Sequence, residues 1–545
     1  MDRQPSSDRS PSRLSGVLDR ISSALAARVA VDRRALAAFR IGVGLLLLAD
    51  LARRSRSLTA FYTDYGVLPR TAFFADYDTI RSVYLLAGEP WAVGLLFAVA
   101  GAVAIALTVG YRTRLATVVS WALLLSLQTR HPMVLNSGDS LLLMLLFWSV
   151  FLPLGARWSV DAVRRAGPPD GSASADGTAA SHRSDAAVAT VAAMALLMQM
   201  LVMYLTNAVH KLEGDLWMSG EAVVYVMQAD QFTYLLGNPL ADFHGLLRVL
   251  TVAWVALLFA SPLLLLSTGF PRAAVASLFI GMHLGMAVTM RIGLFPVVVV
   301  VGFIPFFQTP VWDTAERVVE RFDGRGALAH WRSRLAGRAE RVASLDASVS
   351  RSIASDRIDG LRGSGLPVSL SRGRVLVTTV LPYAFLVLMV LSSAQAVGYA
   401  ETPDPAEEVL EAVEMDQHWR MFAPDPAYTT RWFAAPATLE DGSERDIFRD
   451  APVTLDRPAR AETTYPTSRW RKYLSNVYTT DNENHRSYFA NYLCDDWNRT
   501  HETAVENVTV YQMYERADPT NGTVEAENEV KLIEYDCSGE LVQNE

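Results

Sequence analysis

Apolar residues along the first 400 positions are gathered into runs at about 35–52, 91–109, 114–128, 140–154, 187–209, 246–267, 272–290, 293–308 and 375–398. Most approach the ~20 residues that an α-helix needs to cross a hydrocarbon core. About nine transmembrane helices are therefore predicted. The polar, Arg/Ser-rich residues 1–34 show no hydrophobic core of a cleavable signal and are expected to be a disordered cytoplasmic tail. A second disordered stretch is expected at 167–186, where small and polar residues dominate. After residue 400 the pattern changes to alternation. Segments 431–439 and 445–448 flank a turn at 440–442, and segments 505–514 and 530–535 flank one at 518–522, so two β-hairpins are predicted. The fold class expected is an all-α polytopic membrane bundle with a small C-terminal extracytoplasmic β-rich domain. Its parts are the tail (1–34), a bundle of about eight helices (35–308), an Arg-rich cytoplasmic segment (309–374), a last span (375–398) and the C-terminal domain (400–545).

Composition supports a chain at home in the lipid bilayer: 51% of the 545 residues are hydrophobic and the mean hydropathy is +0.17, too apolar for an ordinary soluble enzyme. Charge is split. Residues 401–545 carry −17, whereas the whole chain carries −8. Arginine concentrates in 3–34, 111–114, 157–183, 271–272 and 313–374, which an odd number of spans places together on the cytoplasmic side. The N-terminus is then inside the cell membrane and the acidic domain outside. Cys494 and Cys537 lie in that domain and allow one disulfide, or two unpaired thiols. The acceptor triplets at Asn498, Asn507 and Asn521 are confined to the same region, as exposure to glycosylation requires. Arginines of 313–374 are interleaved with acids, which argues against nucleic acid as a partner. No cysteine or histidine spacing suits a metal, and no phosphate-binding glycine motif is present.

One basic residue stands apart. The chain has three lysines (Lys211, Lys472 and Lys531), so 46 of its 49 basic residues are arginine. Lys211 ends the apolar run that precedes it, and it is the kind of cation that can lose a proton near neutral pH, which a guanidinium cannot. It reads either as a lysine snorkelling to the interface or as a base. In a helix Tyr204, Asn207 and Lys211 share a face, with His210 one step around. His283, in mid-span, is either a helix–helix hydrogen-bonding residue or a functional one. Asn136 and Asp139 open the fourth run.

These residues resemble a known family, the vitamin K-dependent γ-carboxylase and the prokaryotic proteins that share its HTTM (horizontally transferred transmembrane) domain. Phe39-Arg40 with Gly44-Leu45-Leu46 and Asp50 is similar to the family's first span, and Gly110-Tyr111-Arg112 to its Tyr-Arg turn. Asn136 stands in the place of an Asn-rich segment, and Trp158-Ser159-Val160-Asp161 matches a Trp-Ser-Val-Asp. Val209-His210-Lys211-Leu212-Glu213-Gly214-Asp215 resembles Val-Lys-Lys-Leu-Asp-Ala-Asp, whose second lysine is the base acting on the quinol. Ile292-Gly293-Leu294-Phe295-Pro296, with His283 nine residues before it, resembles Ile-Gly-Met-Phe-Pro and its histidine. Gln417 to Pro426, with Trp419-Arg420-Met421, looks like a segment of the prokaryotic members.

The resemblance implies Lys211, His210 and His283 as catalytic residues. Tyr204, Asn207, Asn136, Asp139 and Trp419 are then candidates for holding substrate. A reduced menaquinone or vitamin K-like quinol is the implied cofactor, with no metal, and the implied partners are the lipid bilayer and exported proteins or peptides. The chain departs from the pattern at His210, where the carboxylase has lysine, and at Gly138, where it has histidine. Its C-terminal domain is also far smaller. The reading from another class is a non-catalytic multi-pass membrane protein that binds a lipid, quinone or partner protein and displays an acidic outer domain.

Overall fold

The structure, a computed structural model, describes residues 13–77, 82–166, 186–322, 376–519 and 522–539, together with 337, 541 and 543. The linker expected at 167–186 lies outside the described residues apart from Ala186, as does most of the Arg-rich segment beyond 322.

Each apolar run coincides with a helix. In chain order these are α2 (Arg33–Arg54), α3 (Pro90–Val109), α4 (Thr113–Thr129), α5 (Ser137–Ser149), α6 (Val191–Leu212), α7 (His244–Ala260), α8 (Gly269–Thr289), α9 (Phe295–Phe303) and α11 (Leu381–Ala396). Five of them, α2, α3, α6, α8 and α11, are long and apolar enough to cross a membrane among the described residues. Helix α9 and the amphipathic α10 (Thr309–Phe322) meet at a bend of 100° and make a sixth only if counted as one broken span. Length separates these five from the remaining apolar helices among the described residues. At 1.5 Å per residue the 13 residues of α5 rise about 20 Å, short of a ~30 Å core.

The sequence places each helix in the bundle. Helix α6 is apolar nearly all round, as a helix enclosed by others must be, and 78% of its span is buried. Helix α5 is likewise enclosed, from Leu141 through Trp148. Helices α3, α8 and α11 are peripheral, exposing Leu95, Ile105, Leu278, Leu284 and Val387 where lipid would lie. Between α2 and the turn after α5, the buried Arg40 donates to the carbonyls of Leu154, Arg157 and Trp158. A Cβ at Gly110, whose φ is +73°, would fall 2.8 Å from that guanidinium and 2.3 Å from Ser159. The neighbouring motifs of the sequence are thus one packed corner.

Two expectations are corrected. The tail is not disordered throughout: residues Arg13–Val29 form α1, whose end is held by Gln308 Nε2 on the Ala27 carbonyl and Arg272 Nη2 on that of Arg28. A short strand β1 (Val31–Asp32) then pairs with β2 (Ala187–Val188). The C-terminal domain, in turn, mixes helix and sheet. Both expected hairpins are present, β4 (Pro436–Leu439) with β5 (Glu444–Asp446) and β6 (Val505–Ala517) with β7 (Val524–Asp536). β6 is central, flanked by β7 on one edge and on the other by β3 (Thr430–Ala434), then β4. Two helices were not foreseen, α12 (Ser468–Thr479) and α13 (Asn484–Thr500). Trp470, Tyr473, Leu474 and Val477 recur at helical spacing and bury one face of α12 with Phe489, Leu493 and Val508. A disulfide joins Cys494 on α13 to Cys537 just after β7.

The domain is seated against the end of the bundle. Phe61, Tyr62 and Met133 share its core, and Asn476 Nδ2 donates to the Met133 carbonyl at 2.8 Å. α12 thereby becomes a wall common to both halves.

Candidate functional site

Where α6, α8 and α12 face one another a chamber of about 680 Å³ is left unfilled. Lys211, Asn207, Tyr204, His283 and Asn136 all line it, five of the eight catalytic and binding positions singled out from the sequence. Three come from one helix: the i, i+3 and i+4 spacing along α6 stacks Tyr204, Asn207 and Lys211 on the face turned to the void.

Lys211 is 3% exposed. Its Nζ lies 3.0 Å from the carbonyls of both Met421 and Phe422, and 3.4 Å from the centroid of the Trp217 ring. Among the described residues it forms no ion pair. Trp217 Nε1 also donates to the Phe422 carbonyl, at 2.7 Å. Phe422 holds that carbonyl in place at a φ of +52°, a region costly for a residue with a bulky side chain. Asn207 Nδ2 donates to the carbonyls of Trp419 and Met421, at 2.9 and 3.1 Å. The segment 419–422 is therefore a strap of carbonyls laid across the end of α6, and it orients both polar groups.

Deeper in, His283 on α8 has Nδ1 2.9 Å from the Phe279 carbonyl, its own preceding turn. That bond uses Nδ1–H, so Nε2 is left as acceptor toward the Tyr204 hydroxyl at 3.4 Å. Phe279 and Phe303 pack on Tyr204, and Trp254 lies at the edge of both Tyr204 and His283. The chamber thus grades from carbonyls and cations at one end to aromatic, Met and Leu side chains at the other.

The other sequence candidates stand elsewhere. His210 is buried with Nε2 unpartnered and does not reach the void, since one residue turns the helix by about 100°. Trp419 offers its carbonyl to Asn207, while its indole donates to Gln417 Oε1 at 2.8 Å, away from the chamber. Asp139 completes a capping box with Asn136 and belongs to a buried ion network. In that network Arg54 reaches Asp50 at 2.6 Å and Asp139 at 2.7 Å, and Arg469 of α12 reaches them at 2.6 and 2.8 Å. Asn498 and Asn507 are exposed, and Asn521 lies outside the described residues.

Sequence reasoning missed the wall supplied by α12. Ser468, Arg471, Lys472 and Ser475 line the chamber along one stripe of that helix, Arg420 lines it from the strap, and Asp425 from just beyond the strap. The rarity of lysine was the available signal, because two of the three lysines prove to face one void. Burial and the adjacent Arg471 push the Lys472 amine below the usual lysine range.

No curated protein and no solved structure matches the chain. Residues 29–312 match the model of the HTTM domain. That span supplies Asn136, Tyr204, Asn207, Lys211 and His283, whereas the strap and α12 lie beyond it. With more than half of its length matched, and with the matched half furnishing the inner wall of the chamber, the chain belongs to the HTTM domain family.

Proposed function

We propose that this protein is a membrane-embedded, quinol-dependent carboxylase or epoxidase in which Lys211 is the base. The observation that carries the reading is a lysine side chain only 3% exposed, with no ion pair among the described residues, on the wall of a largely apolar chamber. The volume and the Trp254, Leu250, Met282 and Met286 lining suit the ring and first isoprenoid units of a quinol, and the Lys211 end suits its hydroxyl. A bound quinol supplies the reducing equivalents and an acidic hydroxyl. The resemblance to the γ-carboxylase supplies the expectation that an exported protein or peptide is the second reactant.

What this chain's residues do follows from their geometry. A neutral amine at Lys211 has two N–H donors, enough for the Met421 and Phe422 carbonyls, and one lone pair to accept a proton. The ammonium so formed lies 3.4 Å from the centroid of the Trp217 ring, a cation–π contact that favours the charged product. Asn207 holds the strap in register, and the aromatic group around Tyr204 and His283 keeps water from the apolar end. Membranes containing the protein, supplied with dioxygen as the oxidant, are expected to convert menaquinol or vitamin K quinol to its epoxide and water, and Lys211→Ala and Lys211→Arg to abolish the conversion. Failure of the wild-type membranes to form epoxide, or full activity in Lys211→Arg, overturns it.

The second reading, a non-catalytic binder of lipid or quinone, draws on the same three contacts, since they also satisfy a permanently charged ammonium. It expects Lys211→Arg to be tolerated. In either reading the N-terminus is cytoplasmic and the C-terminal domain outside the cell membrane. Support comes from the arginine distribution, the disulfide of the domain and the exposure of Asn498 and Asn507. Labelling of a cysteine introduced on the domain surface in intact cells tests the orientation.

A further inference from the structure

The catalytic reading leaves the charge of the chamber unexplained. Among the described residues, four cationic side chains line it (Lys211, Arg420, Arg471 and Lys472) against one carboxylate, that of Asp425. That carboxylate, whose Oδ1 accepts from the Leu216 amide at 2.9 Å, offsets only one of the four charges. A neutral quinol calls for no such excess. Among the described residues Lys472 has no hydrogen bond and no ion pair, although it is half-buried on the chamber wall. Arg471 is held by the Arg291 carbonyl at 3.1 Å and by the ring of Phe232 at 4.2 Å, yet its Nε is buried without a partner. Ser468 and Ser475 stand on the same stripe, one turn to either side. An amine with no protein acceptor on the wall of a void, beside a guanidinium with one nitrogen unmatched, suits an acceptor that is brought in from outside.

The rest of the wall says what carries that acceptor. Across from α12 the lining is apolar, and it extends to Gly281 and Gly285 on α8. Both glycines are exposed, no atom lies within 4 Å of where their Cβ would be, and they share the helix with the exposed Leu278, Leu284 and Val288. The void therefore communicates with the apolar flank of the bundle.

We propose that the α12 wall is a binding subsite for the oxyanion of a membrane-borne amphiphile. A carboxylate or phosphate is held by Lys472 and Arg471, and its hydrocarbon part lies along α8. The proposal does not need Lys211 to be a base, so it stands or falls separately from the enzymatic reading. Lys472 and Arg471 can give charge-assisted hydrogen bonds to such a group, and the serine hydroxyls can complete its coordination. Filling the subsite would also offset the cost of crowding Lys472 against Arg471 in a partly dry place.

The test is binding to the full chain purified in detergent, read by native mass spectrometry and by titration with oleate, phosphatidylglycerol and phosphatidylcholine. Oleate, phosphatidylglycerol or both are expected to bind, and which is tighter tells a fatty carboxylate from a lipid phosphate. Lys472→Gln is expected to weaken that binding by about tenfold or more, and Lys472→Arg to restore most of it. Thermal melting of each variant checks that the fold is kept, and if Lys472→Gln fails to fold, Arg471→Gln carries the same expectation. Three results overturn the proposal: phosphatidylcholine binding as tightly as the anionic lipids, unchanged affinity in a folded Lys472→Gln, or a soluble acidic peptide binding where neither amphiphile does.

Discussion

Arg54 and Lys211 both lie near the ends of long apolar helices, both are almost wholly buried where the C-terminal domain meets the bundle, and they are partnered in opposite ways. Arg54 and Arg469 share Asp50 and Asp139, two cations for two carboxylates, with the Tyr62 hydroxyl on the last guanidinium nitrogen at 2.7 Å. The quartet is closed on every side and links three distant segments of chain. Lys211 has carbonyl dipoles, an aromatic face and an empty volume. Burial alone therefore does not mark a functional charge. A buried ion whose opposite charge is built in gains most by staying put, whereas one balanced only by dipoles beside a void can exchange its proton or attract a counter-ion.

Breaking the quartet should have the largest effect. Arg469→Met leaves two buried carboxylates to one guanidinium, and an uncompensated buried charge of this kind costs about 3–5 kcal/mol. Thermal melting in detergent should show the loss, and protease should cut first between the bundle and the domain that Arg469 anchors. Adding Asp139→Asn removes the excess charge and should recover a good part of it, which independent sites would not do. Lys211→Met should cost far less stability, about 1–2 kcal/mol, because its two carbonyls border a void that water can enter. Quinol turnover should nonetheless fall by about a hundredfold or more. Equal melting losses in the two variants would erase the distinction. A finer probe is Trp217→Leu, which takes away the ring and the N–H on Phe422. Turnover should drop by about fivefold, or about 1 kcal/mol, with the melting temperature little moved.

The two clusters also show why one was readable in the sequence and the other was not. Tyr204, Asn207 and Lys211 are neighbours on a single helix, so periodicity alone puts them on one face. His210 carries the same chemistry one residue away and is lost to the site by the rotation of the helix. Asp139 resembles a site residue in every local respect. What makes it structural is Arg469, 330 positions further on, which only the folded chain brings to it. Lys472 is equally remote from Lys211, and the rarity of lysine hinted at it without saying where it would go. The fold divides in the same way. Apolar runs located the helices well, and strong alternation located both hairpins. Helix α12 escaped because its polar stripe faces an internal chamber, so a pattern that reads as solvated in isolation is enclosed in the assembled protein.

Glu414 offers a third arrangement, and with it the smallest and most specific prediction. It lies three residues before Gln417, where the chain turns into the strap, and partial burial together with Asp416 and Glu411 raises its carboxyl to about 7 from 4.5. Among the described residues this half-buried carboxyl has no ion-pair partner and no place on the chamber wall; it has like charges beside it. Its proton is bound more tightly in the folded protein than in the unfolded one, so the folded state is favoured while the group is protonated. The contribution is complete below about 4.5 and is lost as pH rises through about 7. Glu414→Gln keeps the shape and removes the titration. Its melting temperature should match that of the wild type at about pH 4 and exceed it progressively by about pH 8, a gap of a few degrees at most. Parallel curves for the two proteins across that interval would mean that Glu414 is hydrated after all, and that the approach to the strap, unlike the strap itself, is open to water.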